Sequence, residues 1–329
     1  MFRNITIIGS GSWATALVKI FSESGIHISW VVRDAALAAQ IQECARNTRY
    51  LSYVDLNLDF VNPTVDLEKA IHSSEMVIFA LPSAYLSQAA EAIDPAWIVK
   101  KQVVVSIKGF VPGTAMVPSI FIQKKFGLLK PVMVIGGPCH AEEIAIKRNT
   151  YVTIAGTDTT NAERLKNSIQ VKYVNGIVNN DPSGVEYVAI LKNIIGIATG
   201  IAAGLNYGEN FIAVLVSNAM REVNRFLRSV NLLYRDVFDS AYFGDMLVTA
   251  YSDLSRNRTL GKLIGRGIKV SQALQAMEMV AEGYRASEEL YVLTKNSELH
   301  LPIITSVYRI LHQHASAFHE FKLIEKQLR

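Results

Sequence analysis

The sequence predicts an α/β fold: a parallel β-sheet covered by helices on both faces, followed by a second, mostly α-helical domain. Three observations lead there. Short apolar runs alternate with amphipathic segments up to about residue 175, the pattern of strands buried on both sides and separated by covering helices. A glycine-rich turn, Gly9-Ser10-Gly11-Ser12-Trp13-Ala14, joins the first run to the first helical pattern. Beyond Asp181-Pro182-Ser183-Gly184 the β-rich runs nearly cease. At 329 residues the chain also exceeds what one core usually serves, so two domains are expected.

The candidate strands, in order, are Ile5–Ile8, Ile28–Val32, Met76–Ala80, Val103–Ile107, Val132–Ile135 and Tyr151–Ala155. Each is a short β-branched or apolar run without alternation, as a two-sided burial requires. Ser12–Glu23 and Tyr85–Ile93 read as helices between them. The Asp181–Gly184 tetrapeptide reads as a turn and marks the boundary between domains 1–184 and 185–329. From Val185 to about residue 320 the patterns are long and helical.

Half the residues are hydrophobic and 19% are charged, with a formal charge of +4, which fits a well-cored globular protein rather than disorder. There is no long basic run, so nucleic acid is not expected as a partner. Two scattered cysteines, Cys44 and Cys139, form neither a disulfide framework nor a zinc motif, which points to a reducing cytoplasm. Glycines break the N-terminal apolar run, against a signal peptide. The apolar stretch 194–205 is too short for a membrane span.

The first motif matches G-x-G-x-x-A where a strand meets a helix. Gly9 permits the tight turn, Gly11 lets a pyrophosphate approach the backbone, and Ala14 lets the helix pack closely on the sheet. Dinucleotide binding is the functional reading; a structural glycine turn is the bland one. The second strand ends in Arg33-Asp34. A basic residue there accommodates a 2′-phosphate and an acidic one binds the ribose hydroxyl, so NAD and NADP both stay open.

Lys192 and Asn193 interrupt an apolar run from Val188 to Ile197 that is too wide for a one-sided surface helix. The lysine is either snorkelling or buried for proton exchange, and the pattern does not choose. Lys108 stands just past a strand in a glycine-containing loop, where open α/β sheets bind ligands. Gly137, Cys139 and His140 follow another strand, with no second histidine or thiol at ligand spacing, so no metal site is expected. Arg256 and Asn257 could grip a phosphate, although a solvated helix start capped by Ser255 explains the same residues.

In order along the chain, G-x-G-S-W, the arginine after the second strand, K-G, G-P-x-x-A-x-E, L-K-N, G-D, S-R-N-R and E-G-Y resemble the bacterial-type NAD(P)-dependent glycerol-3-phosphate dehydrogenases. The resemblance implies a Rossmann domain, a helical substrate domain, and interconversion of sn-glycerol 3-phosphate and dihydroxyacetone phosphate, supplying glycerophospholipid synthesis. It implies that Gly9, Gly11, Ser12, Trp13, Arg33, Lys108, Ala141, Arg256, Val280 and Glu282 contact NAD or NADP. Lys108, Gly137, Cys139, Lys192, Asp245, Ser255, Arg256 and Asn257 would contact the small phosphorylated substrate, with Lys192 the general acid/base. The chain departs from the family at Cys139, usually Ser or Thr, at His140, usually Phe, and in the FGDMLVTAYSDLSRNR lead-in. A thiol is the weaker hydrogen-bonding group.

Two rival readings share parts of this pattern: a two-domain β-hydroxyacid dehydrogenase, and an NAD(P)-sensing module without turnover. Ser255-Arg256-Asn257-Arg258 speaks against the first, and Lys108, Lys192 and Asp245 against the second. The apolar helices are compatible with a homodimer.

Overall fold

The computed structural model describes residues 1–277 and 281–329, and divides into two compact units. The first is Met1–Ile107 with Met116–Glu186; the second is Lys108–Ala115 with Tyr187–Arg329. A single cut at 184/185 therefore misses one exchange: the segment carrying Lys108 leaves the first unit and belongs to the second.

The first unit holds one eight-stranded sheet: β1 Asn4–Ile8, β2 His27–Val31, β3 Val61–Thr64, β4 Met76–Phe79, β5 Gln102–Val105, β6 Met133–Gly136, β7 Thr150–Ala155 and β8 Val174–Asn179. Their order is β3-β2-β1-β4-β5-β6-β7-β8. The helices between them are α1 Ser12–Glu23, α2 Ala35–Cys44, α3 Leu67–His72, α4 Leu86–Glu91, α5 Pro95–Ile98, α6 Pro118–Phe126, α7 Ala141–Ala145 and α8 Thr159–Lys166. Connections run outward in both directions from β1 and β4, which makes the ends of these two strands the switch point where such sheets bind ligands.

The sheet is not wholly parallel: β7 runs antiparallel to β6. Strand periodicity carries no direction, and the five-residue α7 rises only about 8 Å, too little to return the chain to the far end of the sheet. β3 and β8, the two edges, fall outside the expected strands. Tyr85–Ile93 resolves into a 3₁₀ turn over Ser83–Tyr85 followed by α4.

The helices that follow are α9 Pro182–Gly204, α10 Glu209–Val230, α11 Asp245–Tyr251, α12 Arg256–Gly265, α13 Val270–Gln275, α14 Glu282–Thr294, α15 Pro302–His312 and α16 Ala317–Glu325. The expected Asp-Pro-Ser-Gly turn is instead the start of α9. Asp181 Oδ1 accepts from Gly184 N at 3.0 Å, and Pro182 suits the first helical position, where its missing N–H costs nothing. By length and composition α9 could cross a membrane, but its most apolar window is 94% buried.

Two helices begin with proline and have no capping side chain of their own. Buried glutamates cap them from elsewhere in the same unit. Glu186 accepts from Ser119 N (2.9 Å) and from Ser119 Oγ at the start of α6. Glu222 accepts from Ile303 N (2.8 Å) and Ile304 N (3.1 Å) at the start of α15. Burial pushes the two carboxyls up to about 8 and about 7, against the opposing pull of these hydrogen bonds.

Candidate active site

In the first unit the loop after β1 sits at the switch point. Gly9 has φ +135°, and a Cβ there would lie 2.0 Å from Ala80 O at the end of β4, so only glycine fits. At Gly11 a Cβ would meet nothing within 4 Å. Among the described residues no side chain caps the start of α1, and no acid stands in its first turn. A helix N-terminus left open in this way suits the pyrophosphate of a dinucleotide.

Trp13 Nε1 donates to Ser106 Oγ (2.7 Å), which donates to Ile135 O (2.8 Å), tying α1 to the ends of β5 and β6. The Arg33 side chain is 66% exposed, with Nε 3.2 Å from Asp34 Oδ2. Asp34 is occupied as the cap of α2: its Oδ1 accepts from Leu37 N (2.8 Å). That N–H, and then Arg33, hold its carboxyl below the usual range. After β6, Gly137 turns the chain with φ +91°, and the buried Cys139 thiol donates to Gly137 O (3.1 Å). Ala141, 7% exposed, opens α7.

The second unit gathers the other polar residues around α9. Lys192 and Asp245 form an ion pair with side chains 5% and 1% exposed. A π-helical turn over Ser240–Gly244 delivers Asp245 to the first position of α11, a backbone irregularity often found at functional sites. Asp245 Oδ1 takes the lysine, while Oδ2 is buried and has no hydrogen-bond partner among the described residues. A buried carboxylate oxygen of this kind is costly unless a ligand group reaches it.

Two residues with no expected role in the site, Asn193 and Thr249, help to build it. Asn193 Nδ2 donates to Lys108 O (2.9 Å), and its Oδ1 accepts from Asn257 Nδ2 (2.9 Å). Asn257 Oδ1 in turn accepts from Gly283 N (3.0 Å). This relay joins the Lys108 loop, α9, α12 and the start of α14, next to Glu282. Thr249 lies one turn beyond Asp245, and its Oγ1 donates to Asp245 O (3.0 Å). The interruption of an apolar run signalled Asn193; nothing local signalled Thr249.

Gly196, one turn after Lys192, faces this cluster: a Cβ there would sit 3.1–3.5 Å from Thr249, Asn257 and Ser255. Ser255 is buried and caps α12 through Arg258 N (3.3 Å). Arg256 is exposed while Asn257 is buried. Val280 lies outside the described residues.

Comparison with known proteins decides the family. Residues 4–162 match the NAD-dependent glycerol-3-phosphate dehydrogenase N-terminus, and residues 181–321 match the C-terminus of the same family. The chain belongs to the NAD-dependent glycerol-3-phosphate dehydrogenases. A Staphylococcus aureus glycerol-3-phosphate dehydrogenase [NAD(P)+] is 31% identical over 95% of this chain and 94% of its own. Among solved structures, the glycerol-3-phosphate dehydrogenase of Coxiella burnetii aligns with a TM-score of 0.91 at 25% identity, covering 98% of each chain. That of Plasmodium falciparum shares the fold at 0.87 and 21%, covering 97% of this chain and 94% of its own. As a member of this dehydrogenase family, the chain is an oxidoreductase that uses NAD or NADP.

Proposed function

We propose that this chain interconverts sn-glycerol 3-phosphate and dihydroxyacetone phosphate with NAD or NADP. The observation that carries the reading is the buried Lys192–Asp245 pair, whose second carboxylate oxygen has no hydrogen-bond partner among the described residues. When bound, the nicotinamide supplies or accepts the hydride.

The proton belongs to Lys192. In reduction Nζ gives it to the substrate C2 oxygen as that oxygen gains negative charge; in oxidation Nζ takes it from the hydroxyl. Asp245 Oδ1 fixes the amine, and Oδ2 offers an acceptor to a substrate hydroxyl. Arg256, exposed at the first position of α12, takes the phosphate as a planar fork, with Lys108 as a second cation. Gripping the phosphate away from the reacting carbon turns binding energy into orientation. Ser255, Asn257, Gly137 and Cys139 complete the substrate contacts in this reading. Gly9, Gly11, Ser12, Trp13, Arg33, Ala141 and Glu282 hold the dinucleotide.

The reading extends to glycerol 3-phosphate supply for glycerophospholipid synthesis in the cytoplasm. It also extends to a homodimer, which the exposed Leu232, Tyr234 and Phe238 support with apolar surface and sedimentation velocity tests. The decisive assay follows loss of NADH or NADPH absorbance on adding dihydroxyacetone phosphate. Turnover with at least one cofactor is expected; none with either, from folded protein, overturns the reading.

A further inference from the structure

The loop between β1 and α1 shows a regularity that the glycine motif does not contain. All three carbonyls of Gly9-Ser10-Gly11 accept hydrogen bonds from side chains beneath the loop. Trp30 Nε1, on β2, donates to Gly9 O at 2.6 Å. Asn47 Nδ2, beyond α2, donates to Ser10 O at 2.9 Å. Thr15 Oγ1, on α1, donates to Gly11 O at 3.0 Å, beside the helical bond that the same carbonyl accepts from Thr15 N at 3.0 Å. Trp30, Asn47 and Thr15 are each 0% exposed.

Asn47 is the centre of the arrangement. Its second Nδ2 hydrogen goes to Thr15 Oγ1 (2.8 Å), and its Oδ1 accepts from Arg49 N and Tyr50 N (3.3 Å each). Every hydrogen-bonding position of the amide is thus used. The bond from Asn47 also leaves the Thr15 hydroxyl hydrogen free to serve Gly11 O, so the two residues act together.

A trans peptide holds its N–H opposite its C=O. Fixing the carbonyls of residues 9, 10 and 11 therefore fixes the N–H groups of Ser10, Gly11 and Ser12 on the other side. We propose that Trp30, Asn47 and Thr15 are positioning residues for dinucleotide binding: they hold three consecutive loop carbonyls inward, so that the paired N–H groups already face the pyrophosphate. The gain is preorganisation, since a glycine-containing loop left to itself samples many conformations whose loss would weaken binding. The inference rests on the dinucleotide reading of this loop.

The test is direct titration of NADH and NADPH by nucleotide fluorescence or calorimetry, without substrate. Three variants remove one donor each: Thr15→Val, Trp30→Phe and Asn47→Ala. Thr6→Val serves as the control, because it deletes another fully buried hydroxyl, bonded to Ala70 O at 2.7 Å, away from the loop. Trp30→Phe and Asn47→Ala are each expected to raise the dinucleotide Kd at least about tenfold; Thr15→Val raises it less, because the Thr15 N–H still holds Gly11 O, while Thr6→Val lowers Tm and leaves Kd alone. Turnover at saturating cofactor stays near the parental value, so the loss falls on KM for the dinucleotide. The Thr15→Val/Asn47→Ala double variant is expected to lose less than the two single losses combined, as residues sharing one network do.

If Asn47→Ala does not fold, Thr15→Val and Trp30→Phe decide the matter. Parental protein that binds, with folded loop variants that bind equally well, overturns the inference alone. Equal weakening by Thr6→Val also overturns it, because the effect would then follow stability. A parental chain that binds neither dinucleotide overturns the underlying reading, and the inference with it.

Discussion

Lys192 and Asp245 make different predictions although they form one ion pair. Lys192→Met keeps most of the side-chain volume and removes the proton carrier; turnover is expected to fall about 10²–10⁴-fold, with the NADH Kd unchanged in direct titration. Asp245→Asn leaves a buried ammonium without its counter-charge, and is expected to cost about 3–5 kcal/mol of stability as well as turnover, read by urea denaturation and steady-state kinetics. Arg256→Ala, at an exposed position, is expected to leave Tm unchanged. It should raise KM for dihydroxyacetone phosphate and spare the residual rate with unphosphorylated dihydroxyacetone; equal losses on both substrates would count against a phosphate contact. Lys192 was legible in the sequence because a charge inside an apolar run is conspicuous. Asn47 was not: it lies in Arg46-Asn47-Thr48-Arg49, which reads as loop, and its partners Ser10 and Thr15 are 37 and 32 residues away.

At the level of elements, the crossing of α9 and α12 fixes where Lys192 and Asn193 stand relative to Asn257. The two helices meet backbone to backbone. A Cβ on Gly200 would lie 2.2 Å from Arg258 O, and one on Gly261 would lie 2.2 Å from Ile197 O. In an open helix, Gly→Ala gains roughly 1 kcal/mol. Here steric overlap exceeds that gain: Gly200→Ala is expected to destabilise by about 1–3 kcal/mol and to lower turnover by disturbing the Asn193–Asn257 bond, checked by denaturation and kinetics on the same preparation. The strands found from the sequence are the interior ones, whose runs are apolar throughout. Those missed, β3 (VNPT) and β8 (VNGIVN), are the two edges. Edge strands tolerate proline and polar residues because fewer neighbours demand ladder bonds and apolar contact. Direction was equally illegible, which is why β7 could not be foreseen as antiparallel.

For the whole molecule, the buried caps Glu186 and Glu222 set a pH dependence. An unfolded glutamate releases its proton near 4.5, whereas these hold theirs to about 8 and about 7. Between those values the unfolded chain binds fewer protons than the folded one, so stability falls as pH rises, by up to about 1.4 kcal/mol per pH unit for each group. Thermal unfolding from pH 5 to pH 8 should show this decline, and Glu186→Gln should flatten its upper part. The two-unit plan was visible from the change of pattern near residue 181, but not the transfer of 108–115, since a loop's allegiance depends on contacts such as that of Asn193 with Lys108 O. The 23-residue helix α9 has a consequence for biogenesis. Until its partners fold around it, the nascent chain displays a segment with the length and polarity of a bilayer-spanning helix. The period between its synthesis and its enclosure is when the polypeptide is most exposed to self-association or to capture by lipid. Refolding from urea should therefore lose yield as protein concentration rises, and lipid vesicles present during refolding, but not those added afterwards, should retain part of the chain.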